Sequence, residues 1–360
     1  MTELLFLGGF IVFITAILLV DMLIIDRDAH EVSVRQAGTW TFVWITLALL
    51  FSIFLWFHGD MVHGIKNFND LQTVVNRYAA HIQLDPNDFE GSLQKYRHYM
   101  TISYLSGYLI EKTLSVDNLF VMMMIFTSFK VSKKEYQHVL NWGIMGAIVL
   151  RIVFIFAGTA IISRFEFVLT IFGAFLVYSA YKMFKDRNLK EEIEVEEHKL
   201  VKFLAKHFPL YPKFVGDKFF VRAERVNGKY ELSKVAKKGI LCMTPLFVTV
   251  LVIEFSDLIF AFDSIPAIFS VSLDPYVVFF SNIFAILGLR AMFFLLSVIA
   301  DRFRFLKIGV SVLLLFIGIK LLIHEYVAID PIASLVFIIA VFVVSILASM
   351  VIPKNNEIKE

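Results

Sequence analysis

The stretch that decides the fold is EFSDLIFAFDSIPAIF, residues 254–269, in which three carboxylates lie within an otherwise apolar run. The apolar run extends from about 240 to 271, which is longer than the roughly 20 residues that a helix needs to cross a hydrocarbon core. A central aspartate costs roughly 2.5–3.5 kcal/mol to insert there. The stretch therefore predicts a membrane helix whose charges serve a function.

The composition of the whole chain agrees with a membrane protein. Of its 360 residues, 58% are hydrophobic and only 18% are charged, and the mean hydropathy is +0.75. A water-soluble protein of this length exposes far more charge. The net charge of +2 gives no basic field for nucleic acid, and the single cysteine, Cys242, cannot form an intramolecular disulfide or a thiolate cluster. We therefore expect an all-α polytopic membrane protein that binds no nucleic acid.

Nine apolar segments are long enough to span the membrane. They lie near 3–25, 38–58, 99–128, 138–163, 165–185, 240–271, 275–299, 304–324 and 331–352. With the N-terminus outside, the inner segments carry 25 Lys and Arg residues and the outer segments carry 5. Because Lys and Arg favour the cytoplasmic side, we expect the C-terminus inside.

Two polar excursions interrupt the spans. The outer excursion, 59–98, predicts a short amphipathic helix followed by a turn at Asp85-Pro86. The inner excursion, 186–239, has an acidic helical run and two strand-like runs around Asn227-Gly228, which is typical of a tight hairpin. We expect the inner excursion to be a small cytoplasmic cap.

The second half of the chain repeats the first. The units are 99–185 and 240–324, and residues 1–58 and 331–352 are then peripheral helices. The matching pairs are Arg151 with Arg290, Lys182 with Lys320, Glu111 with Asp257, Asp117 with Asp263, and Asn118 with Ser264. Each unit has three crossings, an odd number, so we expect inverted repeats with a polar site near the membrane midplane.

The charged and polar residues inside the repeats are the candidate site. Five carboxylates face only two central arginines, so a divalent cation or protons must supply the remaining positive charge. Pro266 predicts a break in the sixth span beside Asp263. Oxygen ligands suit manganese, magnesium or calcium. The expected metal ligands are Glu111, Asp117, Asn118, Glu254, Asp257, Asp263 and Ser264, with Arg151, Arg290 and Lys112 as charge partners. A single acid–arginine pair among them could also be only structural.

Three segments closely resemble the TerC family, specifically its Alx-like branch of bacterial inner-membrane proteins. They are 109–121 (LIEKTLSVDNLFV), 254–269 and 281–296 (SNIFAILGLRAMFFLL), and the resemblance extends over 1–58 and 99–352. The outer excursion is longer than this family leads us to expect. The family is named for tellurium resistance, belongs with the LysE-type transporters and is associated with manganese(II) export. The resemblance implies that Glu111, Asp117, Glu254, Asp257 and Asp263 occupy the family's intramembrane acidic positions.

We therefore expect a manganese exporter that is not an enzyme and has no prosthetic cofactor. Manganese rather than magnesium or calcium comes from the resemblance alone. Moving a dication outward costs about 4.6 kcal/mol per 100 mV of inside-negative potential, and proton exchange is the simplest coupling that supplies it. The alternative is a membrane scaffold that helps to metalate or secrete other proteins, or that confers metal or tellurium resistance without transport. Membrane lipid and the divalent ion are the expected partners. The sequence leaves the oligomeric state, the coupling ion and any protein partners open.

Overall fold

The computed structural model describes residues 3–20, 33–165, 167–186, 198–226, 229–232, 239–299, 305–324, 326–327 and 329–351. The helices are α1 (Glu3–Val20), α2 (Val34–His58), α3 (Asp60–His63), α4 (Phe68–Tyr78), α5 (Phe89–Ser128), α6 (Tyr136–Arg164), α7 (Phe167–Asp186), α8 (Lys199–His207), α9 (Pro245–Phe269), α10 (Pro275–Leu287), α11 (Leu289–Ile299), α12 (Leu306–Leu322) and α13 (Pro331–Val351). The strands are β1 (Phe220–Val226), β2 (Lys229–Leu232) and β3 (Ile240–Met243). The chain is an all-α polytopic membrane protein with one small sheet, as its sequence predicts.

Within the described ranges, five helices are long and apolar enough to cross a membrane. They are α2, α6, α7, α9 and α13, and α10 with α11 makes a sixth if this pair, bent by 41°, is one span. The other expected spans coincide with α1, a shorter apolar helix, with α12, and with the second half of α5, which carries three charged residues. The total of nine spans stays a prediction.

Two expectations about the sixth span are wrong. The span begins at Pro245 rather than 240, because 240–243 form β3, and proline is well suited to the first helical position. The break expected at Pro266 does not occur, since α9 continues through Pro266 to Phe269. A proline so close to the helix end removes little of the backbone hydrogen bonding. The break lies instead at Gly288, between α10 and α11.

The third expected span also begins earlier than predicted. Its helix, α5, starts at Phe89, within the outer excursion, and Asp88 caps it by accepting a hydrogen bond from the Gly91 N–H at 2.9 Å. The 40-residue helix therefore joins the outer excursion rigidly to the first repeat.

Helix contacts pair the two repeats reciprocally. The first helix of each unit contacts the second helix of the other, as α5 with α10 and α9 with α6. The third helices, α7 and α12, pack against each other through Gly173 and Gly318. A Cβ atom on either glycine would lie 2.9–3.0 Å from the carbonyl oxygen of the other, so only glycine permits this approach. These contacts join corresponding helices of units 99–185 and 240–324, and the inverted repeat itself stays a prediction.

The amphipathic helix, the turn at Asp85 and the strand pairing expected in the polar excursions are present. The amphipathic helix α4 buries Leu71, Val74 and Val75. Asp85 forms the turn, because its Oδ1 accepts a hydrogen bond from the Asn87 N–H at 2.9 Å. Strands β1 and β2 pair antiparallel with Val226 opposite Lys229, on either side of the expected hairpin loop, Asn227-Gly228, which lies outside the described residues. Most of the acidic run, 187–197, also lies outside them.

Candidate functional site

A buried arginine joins equivalent carboxylates of the two repeats. Arg151 of α6 is fully buried, and its Nη1 contacts Glu111 Oε1 of α5. Its Nη2 lies 3.5 Å from Asp257 Oδ1 of α9. The hydroxyl of Ser115, one turn beyond Glu111, also donates to Glu111 Oε1 at 3.1 Å. Residues that match in the sequence repeat, Glu111 and Asp257, therefore meet at one guanidinium group.

Several buried polar atoms of the predicted site lack a hydrogen-bond partner among the described residues. They are Glu111 Oε2, both carboxylate oxygens of Asp257 and of Glu254, Asp263 Oδ1, the Ser264 hydroxyl, and Arg151 Nε and Nη2. Burying a polar atom without a partner costs roughly 1–3 kcal/mol, and a charged one costs more. Such atoms normally have a protein group, water or an ion as partner. The oxygens around Arg151 can therefore accept a cation.

Glycine on α6 makes room for Glu254, another of the predicted ligands. Glu254 precedes Asp257 by one helical turn on α9, and its carboxyl group lies against Gly146. A Cβ atom at Gly146 would lie inside van der Waals contact with that carboxyl group, whereas one at Gly143 would be 3.9 Å from Glu254 Oε1. The small residue lets α6 and α9 approach each other around Glu254.

The remaining predicted ligands lie further along the same two helices. Asp263 of α9 is near Ser179 and Lys182 of α7, and the Ser179 side chain forms a hydrogen bond with it. Asn118 and Ser264 are buried, and Asp117 is half-buried on α5. No three described His, Cys, Asp or Glu side chains converge into a preformed metal centre. The five carboxylates thus lie on two helices, and two of them contact Arg151, but they are not arranged as a finished coordination shell.

The predicted charge partner Lys112 contacts a helix end. Its ammonium group donates to the Ala285 carbonyl oxygen at 3.2 Å. That carbonyl belongs to the last turn of α10, where the helix breaks at Gly288 and carbonyl groups lose their helical partners. A cation at the C-terminus of a helix is favourable. Lys112 therefore stabilises the break in the second helix of repeat 2.

Sequence reasoning missed two asparagines that bind the arginines. Arg151 Nη1 donates to Asn282 Oδ1 at 2.8 Å, and Arg290 Nη1 donates to Asn141 Oδ1 at 2.6 Å. The asparagines are 141 positions apart and the arginines 139. Comparing the repeats for amide residues as well as charges would have found them.

A second buried charged cluster joins the start of α1, the end of α3 and the N-cap of α10. His63 Nδ1 lies 2.8 Å from Glu3 Oε1, and His63 Nε2 lies 2.8 Å from Asp274 Oδ2. Burial by itself lowers the pKa of His63, but attraction to Asp274 and hydrogen bonds to Asp274 and Glu3 outweigh it and raise the pKa to about 9. The ring is therefore protonated at neutral pH and holds three segments together.

Curated relatives match nearly the whole chain. A Salmonella typhi protein named "Putative membrane-bound redox modulator Alx" is 39% identical over 340 residues, covering 94% of this chain and 92% of the relative. The protein of the same name from Escherichia coli (strain K12) is 39% identical over 339 residues, with the same coverage. The "Uncharacterized membrane protein STKORF319" of Myxococcus xanthus is 36% identical over 344 residues, covering 96% and 91%. No solved structure matches the chain.

A protein-family model also matches most of the chain. The model of the integral membrane protein TerC family matches residues 96–357, which include both repeats and every predicted site residue. The relatives are named as membrane proteins and not as enzymes. This chain belongs to the TerC family of integral membrane proteins.

Proposed function

We propose that the protein exports divalent cations, manganese in the first place, and binds the ion at the carboxylates of α5 and α9. The observation that carries this proposal is the set of buried oxygens of Glu111, Glu254 and Asp257 that have no hydrogen-bond partner among the described residues. Glu111 and Asp257 share one guanidinium group, Arg151, and Glu254 lies one helical turn before Asp257 on α9. A dication supplies the positive charge and the ligand contacts that this group of acids lacks.

The donor atoms favour a hard cation. Carboxylate, amide and hydroxyl oxygens are ligands for manganese, magnesium and calcium. The single cysteine of the chain is buried in the small sheet, so thiolate ligands for a soft metal are absent. Membership of the TerC family supports manganese among the three hard cations. Asp117, Asn118, Asp263 and Ser264 are further ligands along the path in this proposal.

Proton exchange is the proposed energy source. Outward movement of a dication costs about 4.6 kcal/mol per 100 mV. Carboxylates that hold protons when the ion leaves can couple the two movements. The sequence has no Walker A motif that would indicate a nucleotide as an alternative energy source.

The orientation follows from the distribution of Lys and Arg. We propose a bacterial cytoplasmic membrane protein with its N-terminus outside and its C-terminus inside. Single cysteines at Asn87 and at Asn227, in a Cys242→Ser background, should react with an impermeant maleimide from opposite sides, Asn87 from outside. Labelling of both from one side would contradict the orientation and the odd number of spans between them.

The rival function is a scaffold that assists metalation, secretion or redox balance of other proteins. Two of the relatives reported above are named as putative redox modulators. This chain has one cysteine, so it offers no dithiol pair for such chemistry itself. A redox effect would then follow indirectly, from a change in metal supply.

Flux into vesicles that contain only this protein separates transport from scaffolding. We expect uptake of manganese into inside-out vesicles with wild-type protein, and loss of uptake with Asp257→Asn, Asp117→Asn and Asp263→Asn at equal protein content. Asp217→Asn, an exposed carboxylate of the inner excursion, is the matched control. Absence of flux with wild-type protein, under an imposed proton gradient, would refute the transport proposal and favour the scaffold.

A further inference from the structure

The two arginines are bound crosswise between the repeats. Arg151, in the second helix of repeat 1, donates to Asn282, in the second helix of repeat 2, and Arg290 of repeat 2 donates to Asn141 of repeat 1. The motif of residues 281–296 includes both Asn282 and Arg290. The ligand set proposed above uses neither asparagine. The crosswise pairs therefore need an explanation of their own.

Packing fixes Asn282 at its place beside Arg151. Asn282 is fully buried, and its Nδ2 donates to the Val278 carbonyl oxygen of its own helix at 2.8 Å. Because the NH₂ group is bonded there, the amide presents its oxygen to the guanidinium group. The neighbouring Ser281 packs against Gly107 of α5, where a Cβ atom would lie 2.8 Å from the serine hydroxyl oxygen. This glycine lets α10 lie close enough to the site for Asn282 to contact Arg151.

A neutral acceptor positions the guanidinium group without neutralising it. Arg151 Nη1 is shared between Glu111 and Asn282, while Nη2 faces Asp257 across 3.5 Å. The position between Glu111 and Asp257 is also where a cation would bridge the two repeats, so arginine and ion compete for the same oxygens.

We propose that Asn282, and by the repeat Asn141, are positioning residues that set how strongly the arginines compete with the transported cation. This inference rests on the proposed function, and it deepens it by naming what tunes the affinity of the site. A dication can bind Glu111 and Asp257 only when Arg151 moves away from them. Asn282 is the acceptor toward which Arg151 then moves.

Two substitutions at Asn282 pull Arg151 in opposite directions. Asn282→Asp keeps the size and adds a carboxylate that draws Arg151 away from Asp257, so we expect at least a tenfold lower Kd for manganese. Asn282→Leu removes the acceptor and leaves Arg151 to Glu111 and Asp257, so we expect at least a tenfold higher Kd. The measurement is manganese titration of the purified full-length protein in detergent by calorimetry. Asn69→Asp, the same change on the exposed face of α4, is the control.

Asn141, which is less buried than Asn282, allows a second test. It is half-buried, so Asn141→Asp should fold even if a charge at the fully buried Asn282 is not tolerated, and we expect it to lower the Kd for manganese as well. A merely structural role predicts lower thermal stability with an unchanged Kd in the folded protein. An unchanged Kd in these variants, or a shift in the same direction for Asn282→Asp and Asn282→Leu, would overturn the inference alone. Absence of binding by wild-type protein would overturn the proposed function and this inference with it.

Discussion

Two buried cations in this molecule lie between pairs of carboxylates, and their surroundings differ. Arg151 lies between Glu111 of α5 and Asp257 of α9, and His63 lies between Glu3 and Asp274 where α1, α3 and α10 meet. Both side chains are 0% exposed. The two clusters share one sequence property, because in each of them the two acids are far apart along the chain.

The clusters differ in how completely their atoms are paired. Around His63, both ring nitrogens contact carboxylates, Glu3 Oε2 accepts from the Tyr276 hydroxyl at 3.3 Å, and Asp274 Oδ1 accepts from the Tyr276 N–H at 2.9 Å. Around Arg151, carboxylate oxygens and guanidinium nitrogens lack hydrogen-bond partners among the described residues. A fully paired cluster holds segments together, whereas an incompletely paired one has capacity for a ligand.

Removing each cation should give the largest effect and separate the two roles. Arg151→Gln leaves buried carboxylates uncompensated, so we expect a loss of about 3–5 kcal/mol in the metal-free protein. Manganese should restore more stability in this variant than in wild type, because the ion replaces the lost charge. Arg290→Gln should act in the same direction. The measurement is thermal unfolding in detergent with and without manganese.

His63→Gln is the matched control for the arginine variants. It should also lower the unfolding temperature, but its manganese-induced shift should equal that of wild type, because the proposed ion site does not include the residues around His63. An equal manganese-induced shift in wild type and Arg151→Gln would mean that Arg151 forms an ordinary structural pair remote from the ion.

The pH dependence of stability should be the next largest effect, and it belongs to His63. The pKa of His63 is about 9 in the folded protein and 6.5 when unperturbed. Its protonated form therefore stabilises the fold fully below pH 6.5, and this contribution is lost as the pH rises toward 9. The largest stabilisation that this pKa difference can give is about 3 kcal/mol. The actual contribution is smaller because the Glu3 side chain is 44% exposed and water screens its charge.

Unfolding temperatures of wild type and His63→Gln between pH 6 and pH 10 test this assignment. We expect the wild-type curve to fall between pH 6.5 and 9 and to approach the variant's curve above pH 9. A decline of the same size in His63→Gln would assign the alkaline loss to other groups.

Much of this architecture could be predicted because membrane insertion constrains sequence strongly. Apolar length identified the positions of the helices, and the cost of buried charge identified Glu111, Asp257 and Arg151. The Asn227-Gly228 dipeptide identified the hairpin because few residues suit a two-residue turn. Strand β3 was missed because Ile-Leu-Cys-Met is apolar in either a strand or a helix, and its pairing with β1 is a tertiary contact.

The unpredicted parts of the site depend on contacts distant in sequence. Asn282 and Asn141 are neutral, so charge counting cannot find them, and their hydrogen bonds span 131 and 149 positions. The His63–Asp274 contact spans 211 positions. The break expected at Pro266 was wrong because a proline disturbs only the turn that precedes it, and α9, which packs against α5 and α6, stays continuous and ends three residues later.

A smaller effect should follow from the space that α6 leaves for Glu254. A methyl group in Gly146→Ala would press against the Glu254 carboxyl group, which can move because it is the end of a flexible side chain. We expect about a tenfold weaker manganese binding, or roughly 1.4 kcal/mol, with little change in unfolding temperature. Gly143→Ala, whose Cβ would lie 3.4 Å from Ile253 Cγ2, is the control and should bind as wild type does. Equal binding by both variants would place Glu254 outside the ion site.

The smallest effect should come from the exposed side of the His63 cluster. Glu3 is 44% exposed and Asp274 is 4% exposed, so water screens the first ion pair and not the second. Glu3→Gln keeps a side-chain oxygen near His63, and we expect a loss of 0–1 kcal/mol, the range of solvent-exposed ion pairs. Asp274→Asn removes a buried charge that also caps α10 through the Tyr276 N–H, so it should cost more. Unfolding temperatures of the two variants at pH 7 measure the difference. If Glu3→Gln lowered the unfolding temperature as much as Asp274→Asn, the two acids would stabilise His63 equally. The exposure of Glu3 would then not weaken its ion pair.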